Sequence, residues 1–144
     1  MFLNNINVVL CGEQGDYYGA TIAWATKVEK NHIVISVPQL AALASAIEKQ
    51  QRFSVNVLSE NQERIARQYG GRKQSNPLSV DENDLDFSTW KLPIVINARA
   101  QYLCDLYQMD VLQEQCVITG SIVDSMMNPA LPPLIYEHDK YFHH

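Results

Sequence analysis

The stretch Phe53-Ser54-Val55-Asn56-Val57-Leu58, then Ser59-Glu60-Asn61-Gln62, then Glu63-Arg64-Ile65-Ala66-Arg67-Gln68-Tyr69-Gly70-Gly71, decides how this chain is read. Phe53, Val55 and Val57 alternate with Ser54 and Asn56. That period of two puts successive side chains on opposite faces of a strand. Ser59 and Gln62 stand at the spacing of a capping box, where a hydroxyl and a side-chain amide satisfy the free N–H groups that open a helix. The helix predicted there runs to about Tyr69 and stops at Gly70–Gly71, since glycine accepts the left-handed turn that ends helices.

Upstream, Asn5 to Cys11 is a short β-prone run, and Gly12 to Tyr18 carries the glycines and acidic residues of a turn. A second run spans Ala20 to Val28. Ile22, Trp24, Thr26 and Val28 share one face, and Thr21, Ala23, Ala25 and Lys27 share the other. The first face is the more apolar and is expected to meet the core. The second carries small residues, which either leave room for something flat or pack a helix. Lys30–Asn31 is a turn. His32 to Val37 is nearly all apolar and β-branched, as in a strand buried on both faces. Pro38 ends it. From Leu40 to Lys49 the period becomes helical, with Leu40, Leu43 and Ile47 on one face.

Downstream, Arg72 to Asp86 is polar, contains Pro77 and four acidic residues, and reads as the longest loop. Phe87 to Trp90 is expected to form a short helical turn. Pro93 to Tyr107 is a long β-prone stretch, Cys116 to Val123 another strand, and Leu134 to Tyr136 a last short one. About seven strands and two principal helices result, with strands following strands through short turns. The predicted fold is mainly β with inserted α: a mostly antiparallel barrel capped by helices, in one domain over residues 1–144. Neither G-x-G-x-x-G nor G-x-x-x-x-G-K-[ST] occurs, so the usual phosphate-binding loops are absent.

Composition narrows the function. The 144 residues are 47% hydrophobic and 19% charged, with a net charge of −5. The densest short basic group is Arg72–Lys73, which argues against nucleic-acid binding, where a positive face must neutralise phosphates. Cys11, Cys104 and Cys116 form no C-x-x-C pair, so reduced thiols in a cytoplasm fit better than a secreted disulfide scaffold. Met1 to Cys11 lacks the basic and apolar parts of a signal peptide. No stretch approaches the roughly 18 apolar residues that span a bilayer, so no membrane association is expected.

The order of these elements resembles the flavin reductase-like, FMN-binding split-barrel family. Gly19-Ala20-Thr21-Ile22-Ala23-Trp24-Ala25-Thr26-Lys27-Val28 is similar to that family's small-residue segment around a Trp and a Thr-Gln-Val. Phe53 to Leu58 matches its F-x-V-N-V-L strand, and Glu63 to Gly71 its E-x-x-A-x-x-F-G helix end. Phe87 to Pro93 is similar to F-x-x-W-x-x-x-P, Cys104 falls where many members have Glu-Cys, and Pro133-Leu134-Ile135-Tyr136 with Tyr141-Phe142-His143 resembles the closing segment. The chain also departs from the pattern. It starts at the strand rather than at a preceding helix. Asp-Pro-Pro becomes Lys27-Val28-Glu29-Lys30-Asn31, side-chain donors are nearly missing from Pro38 to Ala42, and Glu114-Gln115 replaces Gly-Asp-His.

The resemblance implies FMN, or alternatively FAD, as cofactor and NAD(P)H as co-substrate. Thr21 to Thr26 would run along the ring and ribityl chain. Thr21 and Thr26 would supply hydroxyls, Ile22, Ala23 and Ala25 backbone groups, and Trp24 packing. Ser36, Val37, Pro38 and Gln39 would lie near the phosphate, with Arg72 and Lys73 as charge donors. Tyr141 and His143 would edge the nicotinamide pocket. No catalytic acid or base is assigned, because hydride transfer asks for geometry. The resemblance also implies a homodimer with flavin at the subunit interface, and a partner monooxygenase that consumes reduced flavin. Two alternatives stay open: a non-catalytic flavin-binding electron carrier and a dimeric scaffold without cofactor. His138, Asp139, His143 and His144 make only a weak metal motif, and no metal is expected.

Overall fold

The computed structural model describes residues 5–39, 41–70 and 82–135. Its elements run β1 (Asn7–Glu13), β2 (Asp16–Ile22), β3 (Ala25–Val28), β4 (His32–Pro38), α1 (Ala42–Gln50), β5 (Arg52–Val57), α2 (Glu63–Gln68), a 3₁₀ turn (Glu82–Asp84), β6 (Leu85–Asp86), β7 (Ile94–Val95), β8 (Ala100–Val111) and β9 (Gln115–Met127). Seven strands form one antiparallel sheet in the order β2-β1-β5-β8-β9-β4-β3, and β6 pairs with β7 alone. The edge strands β2 and β3 are consecutive in the chain and joined only by Ala23–Trp24. That short link brings the two edges of the sheet together and rolls it into the split barrel expected of the sequence.

Alternation explains the inside of the barrel. Val9, Cys11, Ile22, Ile33, Ile35, Val37, Phe53, Val55 and Ile118 form one buried cluster with Leu43 and Ile47 of α1. Helix α1 connects the end of β4 to the start of β5, so it closes that end of the barrel with its apolar stripe. On the outer side of β1, Ile6, Val8 and Leu10 join Ile65, Ala66 and Tyr69 from the α2 region, and Leu85 and Val95, in a second cluster. Gly19 permits that second layer. A Cβ there would meet Leu10 Cδ2 at 2.6 Å and Tyr69 Cδ1 at 2.9 Å.

Strand β5 is buried on both faces, and its polar residues are placed rather than tolerated. Asn56 Nδ2 donates to the Val8 carbonyl at 2.9 Å and to Ser54 Oγ at 3.0 Å, while Asn56 Oδ1 accepts from the Val95 N–H at 2.9 Å. Ser54 Oγ donates to the Pro93 carbonyl at 2.7 Å. These bonds fix the 93–95 segment against the barrel wall and satisfy polar groups that burial would otherwise penalise.

Several expectations change. The Gly12–Tyr18 turn shrinks to Gln14–Gly15, because β1 and β2 pair out to Glu13 opposite Asp16. The Ala20–Val28 run breaks at Ala23–Trp24, where the chain crosses between the sheet edges. Alternation resets there, and Trp24 (70% exposed) and Val28 face outward instead of into the core. Strand β4 alternates buried and half-buried residues rather than burying both faces. The capping box forms by half: Gln62 Oε1 accepts the Ser59 N–H at 3.0 Å, but the Ser59 hydroxyl turns to the Asn97 carbonyl at 3.2 Å, and α2 begins only at Glu63. Phe87–Trp90 is irregular, held by Asp86, and the Pro93–Tyr107 stretch splits into β7 and β8 around residues 96–99. The last predicted strand appears as the single bridges Asn5–Ile135 and Ser59–Pro133.

Candidate functional site

Two of the segments expected to touch a flavin become neighbours. In the β3–β4 ladder Ala25 stands opposite Ile35, Thr26 opposite Val34, and Val28 opposite His32. Side-chain alternation then divides the strands. Ala25, Lys27, Ile33, Ile35 and Val37 belong to the inner side. Thr26, Val28, His32, Val34 and Ser36 belong to the outer side, where exposure is partial or high. The rings of His32 and Tyr107 meet there edge to face at 5.0 Å. The outer side thus carries hydroxyls beside an exposed indole at the corner.

Individual residues differ in what they can still offer. Thr21 is buried, its hydroxyl donates to the Ala66 carbonyl at 2.7 Å, and its N–H to the Tyr69 carbonyl at 3.0 Å. Its proton therefore anchors the α2 turn. Thr26 is exposed. Ser36 Oγ donates to Gln115 Oε1 at 3.0 Å, and the Gln39 N–H donates to the Glu114 carbonyl at 2.8 Å. Glu114 and Gln115, where the sequence departs from the family pattern, thereby fasten the Ser36–Gln39 segment to the β8–β9 hairpin. Arg72, Lys73, Tyr141 and His143 lie outside the described residues, as do His138, Asp139 and His144. Among the described residues no three His, Cys, Asp or Glu side chains converge on a metal-sized site.

Backbone N–H donors open helix α1 where the sequence has almost no polar side chains. Helix α1 starts at Ala42, with Ala41 as its N-cap, no side-chain cap bond, and no acidic residue in its first turn. Its opening N–H groups are free of a carboxylate competitor, and the helix dipole adds positive potential. That is a donor set suited to a dianionic phosphate. The signal was legible only as a change of period after Pro38. The open cavity lined by Gln14, Glu82, Leu85, Asp86 and Phe87 presents two carboxylates and suits an anion poorly.

The three thiols are buried and unpaired with one another. Burial pushes the Cys11 thiol up to about 12, and burial with the nearby Asp105 charge does the same to Cys104. None is a ready nucleophile. No helix among the described residues is long and apolar enough to cross a membrane.

Comparison with known proteins bears on the fold and the family. The model of the flavin reductase like domain family matches residues 2–144. No curated protein matches the chain by sequence. Among solved structures, the NADH:FAD oxidoreductase SgcE6 of Streptomyces globisporus C-1027 superposes with a TM-score of 0.80 at 21% identity, covering 94% of this chain and 82% of its own. The flavin reductase PheA2 gives 0.79 at 19% identity, covering 99% and 90%. The FMN-binding protein of Thermus thermophilus gives 0.78 at 16% identity, covering 94% and 82%. At these identities the structures establish the shared fold, and the family match over nearly the whole sequence establishes the kinship: the chain belongs to the flavin reductase-like domain family.

Proposed function

We propose that this protein binds FMN on the outer side of β3 and β4 and reduces it with a nicotinamide, as an NAD(P)H-dependent flavin reductase. The observation that carries the reading is the juxtaposition of the Thr26–Ser36 face with the uncapped, acid-free start of α1. A tricyclic ring with a phosphate tail needs a polar anchor at one end and a flat apolar surface at the other. The helix start supplies the first and Trp24 the second. Ser36 accepts or donates beside them, held in place by Gln115. The chemistry a bound flavin supplies is hydride acceptance at its ring, with the protein setting geometry rather than acid or base. FAD is the alternative flavin.

A homodimer completes the site in this reading. Trp24 beside β3 and Tyr107 against His32 are large, apolar and exposed near this face, and Val111, Leu112, Val123 and Met127 are exposed elsewhere on the β8–β9 hairpin. Such residues in number usually mark a covered surface. A second copy laid on this face would wall the flavin slot that one copy leaves open. The partner monooxygenase follows by analogy with relatives such as BorF, the flavin reductase component of a bacterial two-component tryptophan halogenase, and a styrene monooxygenase flavin reductase of Pseudomonas putida S12. A cytoplasmic location fits three buried thiols with no disulfide.

The test is spectroscopic. Protein titrated with FMN should give a saturable change in the visible flavin bands, and NADH or NADPH should then bleach them. Binding without bleaching by either nicotinamide would leave an electron carrier. No binding would leave a scaffold.

A further inference from the structure

The geometry points to Gln115 as a positioning residue that makes Ser36 a hydrogen-bond acceptor for a flavin's ribityl chain, an assignment that rests on the flavin reading above and refines it. The outer side of β4 sets the order of groups. Thr26 stands opposite Val34, Ser36 follows two residues on, then Pro38, and α1 begins at Ala42. At about 3.3 Å per residue along a strand, Ser36 lies about 7 Å beyond Val34. It therefore falls between the level of Thr26, beside the proposed ring position, and the helix start, the proposed phosphate position. A flavin has its ribityl chain in that interval.

The proton count decides what Ser36 can offer. A serine hydroxyl has one proton and two lone pairs. Ser36 Oγ donates that proton to Gln115 Oε1 at 3.0 Å. Gln115 reaches it diagonally across the β4–β9 ladder, in which Ser36 pairs with Val117 and Pro38 with Gln115. The neighbouring Glu114 carbonyl accepts the Gln39 N–H at 2.8 Å, so one hairpin turn holds both the hydroxyl and the end of the strand. Ser36 then presents lone pairs to a ligand. A phosphate dianion has no proton to give them, whereas a ribityl hydroxyl has one. The backbone donors beside Ser36 are spent as well, the Gln39 N–H on Glu114 and the Ala41 N–H on the Pro38 carbonyl at 3.0 Å. The phosphate is left to the first turn of α1, and Ser36 to the ribityl chain. Without Gln115 the same hydroxyl proton would be free to turn to the phosphate.

The probes are FMN, riboflavin, which has the ribityl chain but no phosphate, and lumiflavin, which has neither, each titrated by flavin fluorescence. Ser36→Ala should weaken FMN and riboflavin alike by about fivefold, the loss of one neutral hydrogen bond, and leave lumiflavin unchanged. Gln115→Leu should weaken riboflavin by about threefold, because nothing then orients the hydroxyl. Added to Ser36→Ala it should cost nothing more, since Gln115 acts through Ser36. Gln115→Glu, whose carboxylate only accepts, should restore riboflavin to the parent affinity. A merely structural role for Gln115 would move lumiflavin too, and equal losses for all three flavins overturn the proposal. A Ser36→Ala loss confined to FMN would make Ser36 a phosphate donor and overturn it while flavin binding stands. Additive losses in the double variant, or Gln115→Glu behaving as Gln115→Leu, overturn it in the same way. Wild-type protein that binds none of the three flavins overturns the flavin reading and this assignment together.

Discussion

Ala25 lies opposite Ile35 in the β3–β4 ladder, and this one register sets Thr26 and Ser36 on the same outer side, a few residues from the start of α1. If that start holds the flavin phosphate, a carboxylate introduced there should repel it. Ala42 is the first residue of α1 and is half-buried. Ala42→Glu should weaken FMN at least tenfold, about 1.4 kcal/mol. Riboflavin, which has no phosphate, should bind as before. The same substitution should raise helix stability by about 0.5 kcal/mol, because acidic residues favour the first turn. Equal losses for FMN and riboflavin would remove the phosphate from this position.

Asn56 bridges three parts of the fold through the Val8 carbonyl, Ser54 Oγ and the Val95 N–H. Asn56→Ala leaves the Val95 N–H and the Val8 carbonyl without these partners in a fully buried place. The cost should be about 3 kcal/mol, roughly 6 to 12 °C in Tm for a chain this long. Asn56→Asp keeps the acceptor but loses the donor and buries a charge, so it should cost at least as much. Urea or thermal unfolding measures both.

How far the sequence carried the fold depends on which residues a pattern can weigh. Phe53, Val55 and Val57 alternate on a strand paired on both sides, so period and burial agree. Trp24 and Val28 misled because alternation assumes one unbroken strand, and only the strand order reveals the corner at Ala23–Trp24. Ser59 misled because its hydroxyl met a carbonyl 38 residues away, a partner no local motif contains. At the candidate site, Thr21 was legible as polar but not as spent on Ala66, and the backbone donors of α1 carry no side-chain signature at all.

The thiols give a kinetic prediction. With Cys11 and Cys104 pushed up to about 12 and Cys116 raised by burial and by Glu48, the thiolate fraction at neutral pH is very small and access is poor. A disulfide reagent at pH 8 should leave the native protein almost unmodified over an hour. All three thiols should react within minutes in denaturant. A fast native equivalent would show that the barrel opens locally.

Asp86 gives a pH prediction with a definite sign. Its carboxylate accepts from the Thr89 hydroxyl, and from the Ser88 N–H and hydroxyl at 2.8 Å each, and these bonds lower its pKa to about 2. The folded value lies below that of the unfolded chain, so the contribution is present above about pH 4 and is lost as pH falls through about 2. Because the carboxylate is part-exposed, solvent screening limits it to about 1 kcal/mol. Asp86→Asn should therefore lower Tm by about 3 °C at pH 6. The gap between variant and parent should close steadily from pH 4 to pH 2. A gap that stays constant over that window would mean that the turn is held by packing of Phe87 against Tyr17, whose rings meet at 5.5 Å, and not by the carboxylate.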